Sequence, residues 1–175
     1  MDETEEINND ALDLLFVEVA QEVVALPIET VKEVIEYSEI TRVPMCPLVI
    51  RGVINVRGSV VPVIDAASRL TLTPPERYDR YSCIVLYETP NQKSDDSMTL
   101  GLVVSRVRSI KSVDSQKLMT KPQFGLAVPT DFVWKILALE ESSVPILDMS
   151  ALLSSQDINS QMLHHQVRML AAWEA

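Results

Sequence analysis

Histidine, cysteine and aromatic residues are scarce in this chain: two histidines, two cysteines and 5% aromatics among 175 residues. His164 and His165 are neighbours, and neighbours on a helix point about 100° apart, so they make a poor two-ligand face for a metal. Cys46 and Cys83 lie among apolar residues and outside any CxxC pair, which reads as two small buried hydrophobes. Sequences of the HExxH, GxSxG, Walker and GxGxxG kinds are missing, and with them the familiar carriers of hydrolysis, nucleophilic attack and phosphate binding. No metal, no cofactor and no enzymatic activity are therefore expected. Basic residues are outnumbered, 15 to 25, for a net charge of −10. Phosphate backbones select the opposite sign, and stacking on bases needs more rings, so nucleic acid is not an expected partner. No run of about 18 apolar residues is present to cross a membrane. The first 13 residues hold six acids and no base, unlike a secretory leader. The cytoplasm is the expected compartment.

What is present is apolar material in short runs. Hydrophobic residues make up 47% of the chain, enough for one compact domain or two very small ones sharing a core. Residues 1–12 read as an acidic, disordered tail, residues 13–155 as the folded domain with a junction near 70–80, and residues 156–175 as a C-terminal helical segment. Inside the domain, residues 14–19 and 22–27 alternate as strands around a turn at Ala20–Gln21. Residues 29–35 form an amphipathic segment with Val31, Val34 and Ile35 on one side. Glu33, Glu36 and Glu39, three apart, read as a solvated helix face. Strands follow at 49–56 and 59–64, and Pro62 within the second predicts an edge or a bulge. Asp65 is placed to cap a short helix, and Pro74–Pro75 marks a linker. Further strands are expected at 82–87 and 144–147, residues 100–105 and 107–113 read as two strands or a strand and a turn, segments at 123–128 and 132–139 precede the last strand, and a polar loop spans 89–98. Asp148 then caps a second short helix over 149–153. Many short strands with close-spaced turns give an all-β class with short helices.

The chain also repeats itself. VPVIDAASRL at 61–70 and VPILDMSALL at 144–153 share strand, proline, capping aspartate and a closing leucine, at an offset of 83. Upstream, Leu26, Ile28, Val31 and Val34 match Leu102, Val104, Val107 and Ile110 at an offset of 76. Two matches in one order predict two related halves, with about seven residues inserted in the second. Each half is too small to bury a good core alone, so the halves must share apolar surface and leave a groove between them.

The most specific stretch is GVINVRGSVVPVID, Gly52 to Asp65, preceded by Val31–Lys32–Glu33–Val34–Ile35. Gly58 supplies a turn that a side chain would obstruct, and Asn55 can satisfy backbone groups near it. Arg57 projects from the strand end, where its guanidinium can hold a carboxylate by two parallel bonds. Glu33 is the carboxylate the motif offers.

Together these segments resemble the CheW-like domain, whose pattern joins a V-x-E-I segment to G-V-x-N-x-R-G and V-P-x-x-D. The resemblance covers residues 14–154, by motif in the first half and by hydrophobic pattern from Ser82 onward. It implies two SH3-like five-stranded β-barrel subdomains. It further implies a non-catalytic signalling adaptor that couples chemoreceptors to a CheA-type histidine kinase. In the family, the receptor's helical tip docks at a groove between the barrels, and the kinase's CheW-like regulatory domain packs barrel to barrel. The receptor- or kinase-binding residues implied here are Val31, Glu33, Asn55, Arg57 and Gly58, with Gly52 near the kinase-facing surface. A small-ligand sensor, or a scaffold in another pathway using the same groove, is the alternative. The sequence departs from the pattern at Ala25 and at Trp134–Lys135, where glycine is usual, and at Ala66, where leucine is usual. At Ser105–Arg106 the usual acidic residue is replaced.

Overall fold

A computed structural model describes residues 11–44, 50–90 and 97–153 of the protein. Among the described residues, eleven strands and two short α-helices follow one another. The first half holds β1 (Ala11–Val19), β2 (Glu22–Pro27), β3 (Val31–Glu36), β4 (Ile50–Val56), β5 (Ser59–Asp65) and α1 (Ala66–Arg69). The second holds β6 (Cys83–Pro90), β7 (Ser97–Val104), β8 (Arg106–Asp114), β9 (Leu118–Thr120), β10 (Val133–Ala138), β11 (Ser143–Leu147) and α2 (Met149–Leu152). Cys46, the histidines and the C-terminal helical segment fall outside the described residues. Ala11 and Leu12, expected in the acidic tail, belong instead to β1, where they pair with Asp114 and Val113 of β8.

The strands form two sheets, ordered β8-β1-β2-β11-β10-β9 and β3-β6-β7-β5-β4. The all-β class and the two SH3-like subdomains are as expected; the two sheets hold six and five strands, and their ladders do not run from last strand to first among the described residues. The sixth strand, β9, is only three residues long and went unpredicted. It joins by pairing Leu118–Thr120 with Lys135–Leu137 of β10.

Each sheet draws on both halves of the chain. The first-half strand β3 pairs with β6 of the second half, and the second-half strand β8 pairs with β1 of the first. The two sheets carry the same order once each strand is replaced by its counterpart in the other half. Their parallel pairs coincide as well: Val63 lies opposite Gly101, and Ile146 lies opposite Ala25. These are equivalent positions at the offsets of 83 and 76. The departure at Ala25 is accommodated there, since its side chain is fully buried in the core of the first sheet. Even the bulges agree, between Ile50 and Gly52 in β4 and between Val133 and Lys135 in β10.

Burial explains why the central strands read as unbroken apolar runs rather than alternating ones. Neighbouring side chains on one strand serve different cores. Leu14 and Phe16 of β1 pack with Ala25, Leu137 and Ile146 inside the first sheet. Ile84 and Leu86 of β6 pack with Val61, Val63 and Val103 inside the second. The alternate residues, Leu15, Val17, Val85 and Tyr87, meet in a third core that lies between the sheets and includes Leu70 and Leu153. The two short helices meet there: Arg69 Nε donates to the Leu152 carbonyl at 2.9 Å, a contact between equivalent positions 83 residues apart.

One local expectation needs correcting. The segment after Pro27 is a short 3-10 turn followed by a strand, so its period is two and not 3.6. Val31, Glu33 and Ile35 share one half-buried face, while Val34 points out with Lys32 and Glu36. Glu33 and Glu36 therefore lie on opposite faces, and there is no helical acidic stripe. Pro62 sits in an interior strand, β5, rather than at a sheet edge, and beside the bulge of the β4–β5 ladder, the other place expected for it. It is tolerated because β7 begins to pair with β5 only at Val63, one residue later.

Candidate functional site

The hairpin between β4 and β5 turns on two residues, Arg57 and Gly58, both with positive φ, 49° and 85°. Such a turn matches the right-handed twist of the flanking strands and favours Asn-Gly or Gly-Gly. Glycine meets the demand without strain, whereas a branched-out arginine backbone in this region costs about 1 kcal/mol or more. The turn is held by the Asn55 side chain, whose Oδ1 accepts from the Gly58 amide at 2.9 Å. Arg57 then reaches Glu33 on β3, the strand at the other end of the sheet order, so the sheet curls to bring its two outer strands together here. Its Nη1 and Nη2 donate to Glu33 Oε2 and Oε1 at 2.9 and 2.5 Å, the parallel two-bond geometry expected from the sequence. Arg57 stays largely exposed, at 72% of its side chain, against 31% for Glu33.

The sheet face around this pair forms a shallow pocket of about 530 Å³, flanked by Lys32, Val60, Met98 and Thr99. Val60 is 68% exposed, an apolar side chain beside a fixed charge. The structure thus brings Glu33, Asn55, Arg57 and Gly58 together, with Val31 two residues along β3 and packed onto the central core. The Arg57 guanidinium holds the Glu33 carboxyl below the usual carboxylate range, chiefly by its hydrogen bonds, against the opposing effect of desolvation and with a smaller contribution from its charge. The pair's contribution is therefore complete above the unfolded-state carboxyl pKa and is lost as pH falls through the lower folded value. In an NMR titration the Glu33 carboxyl should ionise below the normal glutamate range and return toward it in Arg57→Gln; an unshifted Glu33 would mean the pair does not persist in solution.

Gly52 stands apart from this group. It is buried, and a Cβ there would lie 2.2 Å from the Thr41 carbonyl oxygen. The backbone of Thr41 bonds to Val53 in both directions at 2.9 Å, so Gly52 is the opening through which the Thr41 segment reaches β4. Its place in the motif has a packing cause, whatever partner lies near that surface.

A second polar constellation was missed in the sequence beyond its helix cap. Asp65, 1% exposed, accepts from the Ser68 amide at 3.2 Å as the cap requires. Its other oxygen accepts from Arg51 Nη1 at 3.1 Å and from the Tyr78 hydroxyl at 2.8 Å. The Arg51 guanidinium also lies over the Tyr78 ring, which packs against Tyr37. Burial, then the nearby Asp65 charge, push the Tyr78 hydroxyl well above its ordinary pKa, so it stays a donor. This network ties the crossover 71–82 to the second sheet. No spacing signal marks it, because Arg51 and Tyr78 flank Asp65 at unrelated distances.

The groove expected between the halves is present: about 690 Å³ between the Ala20–Glu22 turn of the first sheet and the Leu72–Ser82 crossover of the second, with Ser105 at its edge. None of the motif residues lines it. Among the described residues, no cluster of three His, Cys, Asp or Glu is arranged to hold a metal, and no helix is long and apolar enough to cross a membrane.

Comparison with known proteins agrees with this geometry. The sequence is 25% identical over 151 residues to the probable chemotaxis protein CheW of Rhizobium etli, covering 86% of this chain and 93% of that protein. It is 27% identical to chemotaxis protein CheW of Klebsiella aerogenes, covering 73% of each, and 28% identical to that of Bacillus subtilis, covering 78% and 83%. The fold superposes on the crystal structure of the scaffolding protein TtCheW from Thermoanaerobacter tengcongensis with a TM-score of 0.71 and 26% identity, covering 81% of this chain and 87% of that one. The CheW-like domain pattern matches residues 13–157, the same span that holds both sheets and the Arg57–Glu33 pair, and the chain belongs to the CheW-like domain family.

Proposed function

We propose that this protein is a non-catalytic coupling adaptor of a chemosensory pathway, acting in the cytoplasm and joining a chemoreceptor's helical tip to a CheA-type histidine kinase through that kinase's CheW-like regulatory domain. The family match over residues 13–157 supports the pathway. The observation that carries the site is the exposed Arg57, fixed on Glu33 by two bonds in a strained turn. Backbone strain kept at an exposed position is a mark of use rather than of folding. A braced guanidinium loses less freedom on binding than a loose one, and the apolar Val60 beside it supplies area that a partner can bury.

Arg57→Asn separates binding from folding. Asparagine is preferred at the first position of this turn, so the melting temperature should hold or rise. Affinity for the cognate kinase regulatory domain or the receptor tip should fall by about tenfold or more, measured by titration calorimetry, with a matching loss of kinase activation in reconstituted arrays. Undiminished binding of both partners by a well-folded Arg57→Asn protein would sink the assignment.

A further inference from the structure

Only one of the two sheets has its outer edges tied together. In the second sheet Arg57 bonds Glu33 of β3 across the gap. At the offsets of 83 and 76 the equivalent positions in the first sheet are Glu140 and Ser109, which cannot form an ion pair. The strand equivalent to β3 is β8, and among the described residues it pairs with β1 alone. No residue of β8 is buried, and Ile110 at its centre is 61% exposed. An open nine-residue edge is a template for another strand, and proteins guard such edges with charged side chains. Arg106, Arg108 and Lys111 stand as guards of that kind.

Against one strand these guards fail, and that strand is β8 itself. Antiparallel pairing of two copies about Ile110 sets Arg106 opposite Asp114, Val107 opposite Val113, Arg108 opposite Ser112 and Ser109 opposite Lys111, with Ile110 facing its own copy. Directly opposed side chains are the unit of sheet stabilisation, and none of these pairs joins like charges. Neighbouring symmetric registers lose the match. Moving the axis one residue toward the C-terminus sets Lys111 against Lys111, and one residue toward the N-terminus takes Arg106 away from Asp114 and Ile110 off the axis. The ladder of β8 with β1 runs without a shift from Ser109 to Asp114, so the centre of the edge is regular. The charged members are available. Arg106 is exposed, with its guanidinium 5.2 Å from the Tyr81 ring centroid, and no carboxylate among the described residues pairs with it. Glu18, opposite it in the β1 ladder, is held by Arg108 at 2.6 Å, a bond that also offsets the Arg108 charge. Asp114 is exposed; its Oδ1 accepts from the Gln116 amide at 2.9 Å, and no cation among the described residues pairs with it.

We propose that β8 is a homodimerisation edge, at which a second copy of this chain adds its own β8 antiparallel about Ile110 and joins the two six-stranded sheets across a two-fold axis. The contact belongs to the first sheet, whereas the Arg57 hairpin belongs to the second, and it does not depend on the adaptor reading. It is smaller than a standard interface, so the dimer should form as concentration is raised. The test is sedimentation equilibrium of the wild-type protein up to about 1 mM, beside Ile110→Lys, Arg106→Asp and the exchange R106D/D114R. Wild type should dimerise reversibly. Ile110→Lys sets two ammonium groups together at the axis, and Arg106→Asp sets carboxylate against carboxylate; each should weaken the dimer by about tenfold or more, and the exchange should restore it. The single variants should melt as wild type does, since both side chains are exposed. A monomer at every concentration, a dimer indifferent to both single substitutions, or a folded exchange variant that stays monomeric would overturn the edge contact.

Discussion

Asp65→Ala will destabilise the protein by about 3–5 kcal/mol, whereas Asp148→Ala, at the equivalent place in the other half, will cost about 1 kcal/mol. Both aspartates cap a four-residue helix, Asp65 through the Ser68 amide and Asp148 through the Ala151 amide at 3.2 Å. Loss of that bond alone is the cost at Asp148. At Asp65 the same change also strips Arg51 and the Tyr78 hydroxyl of their shared acceptor. Arg51 keeps only a quarter of its side chain in water, so the stranded charge is not cheaply resolvated. Trp134 stands where Arg51 would repeat, so the second half never built the network. Urea unfolding of the two variants measures the difference directly, and equal losses would show that the Arg51–Asp65–Tyr78 network contributes nothing to stability.

Gly52→Val should be the most damaging substitution within the motif, at about 3 kcal/mol or more. A branched side chain cannot coexist with a carbonyl oxygen 2.2 Å from its Cβ position, and Ile40 Cγ2 is only 2.7 Å away. Relief requires Thr41 to leave β4, which breaks the two 2.9 Å bonds it makes with Val53. The loss should appear in denaturant midpoints and in rapid hydrogen exchange at the Thr41 and Val53 amides. Partner binding by the fraction that remains folded should be near normal, in contrast to Arg57→Asn, which is folded and deficient. A stable Gly52→Val protein that fails to bind would place this residue at the interface.

How legible was all this in the sequence? The β4–β5 hairpin, its Asn55–Gly58 lock and the Arg57–Glu33 pair were readable because each depends on residues of rare conformational or bonding capacity at short, fixed spacing. The capping aspartates were readable for the same reason. Val34 was misplaced because three apolar residues in five fit a helical stripe as well as a strand, and only pairing with β6 decides the period. The strand order and the sixth strand were hidden for a related reason. Strand order depends on partners far away in sequence, and β9 is held to β10 by three residues without any pattern of their own. The Arg51–Asp65–Tyr78 network assembles from separate segments through tertiary contact, so no local window contains it. The repeat was the one long-range signal in view. Its two offsets differ because the stretch between β8 and β10 is longer than that between β3 and β4, and the isolated Thr41–Val53 bridge occupies the place that β9 fills in the other sheet.

The exchange of strands between halves also governs how the protein can be made. Ala11 must wait for Asp114, and β3 for β6, so a nascent chain that has cleared the ribosome only as far as α1 owns two incomplete sheets and three unfinished cores. At about 5–20 residues per second of synthesis, the first strand stands unpaired on its outer edge for on the order of ten seconds. Folding must therefore wait for the second half of the domain to emerge, is slow for the domain's size because its pairings are distant, and depends during that interval on whatever shields the apolar run from Leu14 to Val19.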